Sequence, residues 1–155
     1  MPGVVTATAG AGKGLRVSDG SCSPQSPGPT PTSPAPTSSA PTQPTGTNLS
    51  IGAGSDGSGK VSGTSYGNVR DGDLSTYWSP AGPTGSVSIK WGSPTAVSTV
   101  VIRETAGSAG TVNSWRIVNG DTGAVGFPRT SLSEITYKIT GSTGTPRVAE
   151  FETYA

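Results

Sequence analysis

The chain has 155 residues, with 10 Lys plus Arg against 9 Asp plus Glu and no His, a formal net charge of +1. That balance excludes a broad basic surface for nucleic acid, and the missing His removes the usual general base and the commonest zinc ligand. Hydrophobic residues make up 30% of the chain, and no run approaches the ~18 apolar residues of a membrane helix; the opening "MPGVVTATAGAGKGLRV" has neither the charged start nor the apolar stretch of a signal peptide.

Residues 1–22 are too short to fold alone, and their small alternating residues suit an edge strand. The single Cys22 cannot close a bridge within the chain. "SPQSPGPTPTSPAPTSSAPTQPTGT", residues 23–47, holds eight of the 14 prolines and no charge. It is expected to be a disordered linker that extends at ~3.1 Å per residue and tethers two bodies.

From Asn48 to Ala155 short alternating runs are separated by Gly, Ser, Asn and Pro, the pattern of an antiparallel β-sandwich. "SVSIKW" puts Val87, Ile89 and Trp91 on one face of a half-buried strand. "VSTVVIR" is nearly continuous and reads as a strand covered on both sides. "SWRIVN" starts another strand; "EITYKIT" turns Ile135, Tyr137 and Ile139 inward, and "VAEFETY" does so less cleanly with Ala149, Phe151 and Thr153. No convincing helix is present.

The ordered series "VRDGDLSTYWSP", "GSVSIKWGSPTAVSTVVIRE", "SWRIVNGDTG", "ITYKIT" and "RVAEFETYA" resembles the discoidin, or F5/8 type C, domain, which is also used as a galactose-binding-like carbohydrate-binding module. The resemblance covers nearly all of residues 55–155 and implies an all-β fold, an antiparallel sandwich of discoidin-like jelly-roll type. Residues 1–22 resemble the closing segment of a bacterial pectate lyase catalytic domain, and Pro/Thr/Ser linkers are common in secreted polysaccharide-degrading enzymes. The implied organisation is a catalytic remnant (1–22), a linker (23–47) and a binding module (48–155). The chain departs from its relatives after "NGDTGAVG", where it passes straight to "FPRTSLSEITYK". That shortening before Thr130 is expected to shorten a strand and expose a sheet edge.

Asp71, Asp73 and Thr76 set oxygen donors at positions i, i+2 and i+5 of a Gly-containing turn, as a calcium site requires. An EF-hand does not fit: counted from Asp71, position 6 is Thr76 and position 12 is Gly82. The resemblance implies a structural calcium held by the Asn68 carbonyl, Asp71, Asp73, Thr76, the Ala149 carbonyl and Glu150. The alternative is that Asp71-Gly72 is only a turn, capped by Asp73.

For a glycan, Trp78, Trp91 and Trp115 are expected in the core, leaving Tyr66 and Tyr77 as surface rings. Arg103 and Glu104 lead into the small-residue loop "TAGSAGTVNS", on the face that the resemblance makes the ligand side. Arg103 would fork onto a uronate carboxylate, or else the two residues form an Arg–Glu pair or a structural bridge involving Arg116. Residues 48–155 carry eight basic and eight acidic side chains, so a pectic polyanion is permitted and not demanded. Glu150 and Glu152 as an acid/base pair have no base beside them, and loops of Gly, Ser, Ala and Thr do not suit lipid insertion. The expectation is therefore a secreted, monomeric, non-catalytic module that binds a pectic or galactose-containing polysaccharide, with neither nucleic acid nor membrane as partner. Protein adhesion is the competing reading.

Overall fold

The computed structural model describes residues 4–8, 44–108, 111–120, 125 and 127–155. The expectations for Cys22, and for the Pro-rich stretch up to residue 43, lie outside these residues, as do residues 121–124 and 126, in the stretch before Thr130 where a shortening is expected. Seven strands run in chain order: β1 Val4–Thr8, β2 Gly54–Gly57, β3 Gly85–Val97, β4 Thr99–Glu104, β5 Val112–Val118, β6 Thr130–Ser142 and β7 Val148–Tyr154. They form two antiparallel sheets, one in the order β1-β4-β7 and one in the order β2-β3-β6-β5. The expected all-β antiparallel sandwich is what the chain forms. The only helical element among the described residues is a short 3-10 helix, Tyr66–Arg70.

The long pair β3·β6 carries the larger sheet, with Val87 opposite Tyr137 and Ile89 opposite Ile135. Period-2 alternation sends Val87, Ile89, Ile135, Tyr137 and Ile139 inward, all essentially without solvent contact. From the smaller sheet Val100, Ile102 and Phe151 join the same core, where Tyr137 and Phe151 meet edge to face at 6.1 Å. Trp78 is fully buried, and its indole N–H donates to the Gly59 carbonyl at 3.0 Å. Trp91 and Trp115 pack against the core but stay partly exposed. All three Trp thus serve the core, two of them from its rim.

Strand β4 is buried from Thr99 to Ile102, as its continuous apolar run predicts. Strand β7 is buried at all seven positions, which alternation does not predict. Phe151 and Thr153 face inward as read. Glu150, Glu152 and Tyr154 on the opposite face are buried as well.

β7 is also held along both edges. It pairs with β4 on one side. On the other, Trp78 and Val148 exchange backbone hydrogen bonds of 2.8 and 2.9 Å, and the Leu49 N–H donates to the Thr153 carbonyl at 2.8 Å. Phe151→Ala would remove the ring where the two sheets meet and is expected to cost about 3–5 kcal/mol, read as a lower urea midpoint at unchanged m-value.

Candidate functional site

The 3-10 helix and the turn after it bring "NVRDGDLSTYW" onto β7. The Ser65 hydroxyl caps the helix by accepting the Gly67 N–H at 3.2 Å, and Gly72 turns the chain with φ +80, a region that favours glycine. The Gly72 N–H then donates to Glu150 Oε1 at 2.8 Å, across 78 residues of sequence. Thr76 Oγ1 sits at the centre of the loop, 2.8 Å from Asp71 Oδ2, 3.1 Å from the Asp73 carbonyl and 3.5 Å from the Asn68 carbonyl. Asn68, Asp71, Thr76 and Glu150 are therefore brought together from opposite ends of the domain, and Ala149 is fully buried beside Glu150.

Two details differ from the sequence expectation. Asp73 turns its carboxylate away to accept the Ser75 N–H at 2.8 Å and the Ser75 hydroxyl at 2.6 Å. These bonds hold its carboxyl below the usual range; it contributes its carbonyl, not its side chain, to the cluster. The three carboxylates expected to converge are consequently two, Asp71 and Glu150. Among the described residues no group of three or more His, Cys, Asp or Glu side chains stands ready for a metal.

Glu150 is the unusual member. Its side chain is buried, and Oε2 has no hydrogen-bond partner. Burial raises its pKa to about 7, opposed by the Gly72 N–H and reinforced by Asp71. An orphaned buried carboxylate oxygen, beside a second carboxyl, a hydroxyl and two backbone carbonyls, makes an all-oxygen cradle. That donor set fits a hard divalent cation such as calcium.

The ligand candidates fare differently. Tyr66 is wedged into the fold: its hydroxyl donates to the Gly57 carbonyl at 3.2 Å, its ring lies 6.5 Å from that of Trp78, and a Cβ on Gly57 would stand 2.8 Å from the ring edge. It is not an open sugar platform. Arg103 is not a free fork either; its Nε donates to Glu152 Oε1 at 2.8 Å and a terminal nitrogen to Oε2 at 3.4 Å, with the Tyr154 hydroxyl 3.0 Å from the same Oε2. The partner is Glu152, two residues beyond Glu150, which stands opposite Arg103 in the β4·β7 pair; Glu152 is buried, and a buried carboxylate needs its charge and lone pairs met. Glu104 accepts the Val112 N–H at 3.2 Å and so staples the loop between β4 and β5.

Tyr77 remains partly exposed, with the Arg147 guanidinium 5.3 Å above its ring centroid. Arg147 is the functional candidate that sequence reasoning missed. Its carbonyl accepts the Thr105 N–H at 3.0 Å and the Ser108 hydroxyl at 3.2 Å, so Tyr77, Arg147 and the start of the small-residue loop share one end of the sandwich. The available signal was a lone basic residue directly ahead of the last strand.

The class these observations define is an all-β antiparallel sandwich with an oxygen-rich clasp between its first loop and last strand. No family model matches the chain, and no curated protein does. Solved structures share the fold. SpGH29 superposes with a TM-score of 0.60 at 18% identity, covering 70% of this chain and 28% of that one. A Ruminococcus gnavus GH29 fucosidase in complex with fucose superposes with a TM-score of 0.58 at 22% identity, covering 70% and 26%. The chain thus spans little more than a quarter of the length of these structures.

Glu150 makes metal-free stability depend on pH. In the unfolded chain its carboxyl ionises near 4.5, in the fold near 7, so folding takes up a proton between these values and stability falls as pH rises through that window. In chelator, the melting temperature is expected to drop by ~5 °C or more between pH 4.5 and 7.5. Glu150→Gln should flatten that slope, as followed by circular dichroism.

Proposed function

We propose that this domain is a non-catalytic carbohydrate-binding module, secreted and monomeric, that holds a polysaccharide-degrading enzyme, a pectate lyase, on plant cell-wall polysaccharide. The observation that carries the reading is the sandwich itself, shared with parts of GH29 glycosidases several times its length. The ordered discoidin-like motifs support the same class. A tethered module of this kind works by effective concentration, keeping the enzyme near insoluble substrate without taking part in the chemistry.

Calcium is the proposed structural ion, held by the Asn68 carbonyl, Asp71, Thr76, Glu150, the Ala149 carbonyl and Asp73 through its backbone oxygen. Bound there, it would supply positive charge to the orphaned Glu150 oxygen and stabilise the folded state by mass action. It would tie the first loop to the last strand and leave ligand contact to neighbouring residues.

The proposed ligand contacts are Tyr77 and Arg147. The ring offers a C–H face to a sugar, and the guanidinium offers a planar fork to a uronate carboxylate. Tyr66, Arg103 and Glu104 take supporting positions, since their polar atoms already serve the fold. Among the described residues, exposed Ile51, Leu74 and Val61 are the large apolar side chains the competing adhesion reading would use.

Calorimetry and affinity electrophoresis against polygalacturonate, rhamnogalacturonan and neutral galactans, with and without chelator, test both halves. Binding to a pectic polymer is expected, weakened ~10-fold or more by Arg147→Ala, with calcium raising the melting temperature of the wild type and not of Glu150→Gln. No binding to any of these glycans would sink the function, and a melting temperature indifferent to both calcium and chelator would sink the ion.

A further inference from the structure

A trough crosses the outer face of the larger sheet. Alternation sends Ser86, Ser88 and Lys90 of β3 outward, opposite Lys138, Thr136 and Glu134 of β6, and Arg116 of β5 stands opposite Lys138. The short side chains fall in the middle row, where the buried Ser88 and Thr136 hydroxyls bond to each other at 2.7 Å. The long ones rise on either side, with Glu134 and Lys138 about 13 Å apart along β6. Together with Asp56 of β2 they enclose about 650 Å³, room enough for a small ligand.

The two walls differ in charge. On one, Lys90 Nζ lies 2.5 Å from Asp56 and 3.7 Å from Glu134, so two carboxylates share a single cation. On the other, Lys138 and Arg116 face each other across the β5·β6 pair, and neither side chain has a hydrogen-bond or ion-pair partner among the described residues. Like charges directly opposite in a sheet destabilise it, and a bound anion removes that repulsion. A continuous polyanion is opposed by Asp56 and Glu134, which accept hydrogen bonds from neutral hydroxyls instead. A peptide would find little to bury, since Ile139 is the only large apolar residue of the lining among the described residues.

We propose that the trough is a second glycan site, which takes an oligosaccharide in which a uronate alternates with a neutral sugar. The uronate carboxylate lies on Lys138 and Arg116, and the hydroxyls of the neutral unit lie on Asp56 and Glu134. For its class of ligand this rests on the carbohydrate-binding reading above; its residues are separate from Tyr77 and Arg147.

The test uses the full chain, with alternating rhamnose–galacturonate oligosaccharides as the probe and oligogalacturonate and polyglutamate for comparison. Arg147→Ala takes away the proposed contact at the end of the sandwich. In that background the Ser86, Ser88 and Thr136 amide resonances are expected to shift saturably with the alternating probe. Adding Lys138→Ala or Arg116→Ala should weaken binding at least ~10-fold by calorimetry. Either change relieves the cross-strand repulsion, so the melting temperature should not fall; exposed Arg116 supplies the variant to use if half-buried Lys138 disturbs the sheet. Oligogalacturonate is expected to bind at least ~10-fold more weakly than the alternating probe. Unmoved amides, or loss of all binding in Arg147→Ala alone, would overturn the trough and leave the end site standing. Affinity unchanged by both Lys138→Ala and Arg116→Ala would overturn the cationic wall. Tighter binding of polyglutamate would overturn the glycan occupant, and tighter binding of oligogalacturonate the alternation. Wild-type affinity in Arg147→Ala that is lost in the two trough variants would support the trough at the expense of the end site.

Discussion

Strand β7 is held along both edges, and the rest of the domain is arranged by that fact. On one side it is laddered to β4; on the other it takes backbone hydrogen bonds from Trp78 and Leu49. Since buried backbone groups must be paired, this last strand recruits segments from the beginning of the domain. The turn holding Asp71 and Thr76 is delivered to Glu150 as a consequence, and Arg147 is delivered to Tyr77.

Burial on both faces then imposes a cost on the polar residues of β7. Glu152 meets it with Arg103 and the Tyr154 hydroxyl, a charge-assisted arrangement that keeps both its oxygens occupied. Glu150 meets it only halfway, with Gly72 on one oxygen and nothing on the other. The contrast between two glutamates two residues apart makes Glu150 the unsatisfied carboxylate of the clasp and Glu152 part of the frame.

Much of the fold was legible in the residue pattern. The alternation in "SVSIKW" and "EITYKIT" assigns the inward faces of β3 and β6, and the unbroken apolar run of β4 signals cover on both sides. The "VAEFETY" pattern was less clear because a strand buried on both faces need not alternate; Glu150 and Glu152 look like solvent positions until their partners are known. The clasp was partly legible too. The sequence names Asn68, Asp71, Thr76 and Glu150, which the fold brings together, but it does not show that Ser75, two residues on, takes the Asp73 carboxylate as a local partner.

The proposed ligand contacts were the least legible, for a reason rooted in chemistry. Tyr, Arg and Glu serve a sugar and a fold through the same hydrogen bonds, so a list of types cannot say which use is made of them. By itself the sequence determined the strand faces, the aromatic core and the Gly-containing turn of the first loop, because these depend on local period and local turn chemistry. Only the tertiary structure decided that Arg103 answers Glu152, that Glu104 staples a loop, that Arg147 stacks on Tyr77 and that β1 closes the edge of β4. Each of those pairings joins residues distant in the chain, and their partners are chosen by which strands become neighbours.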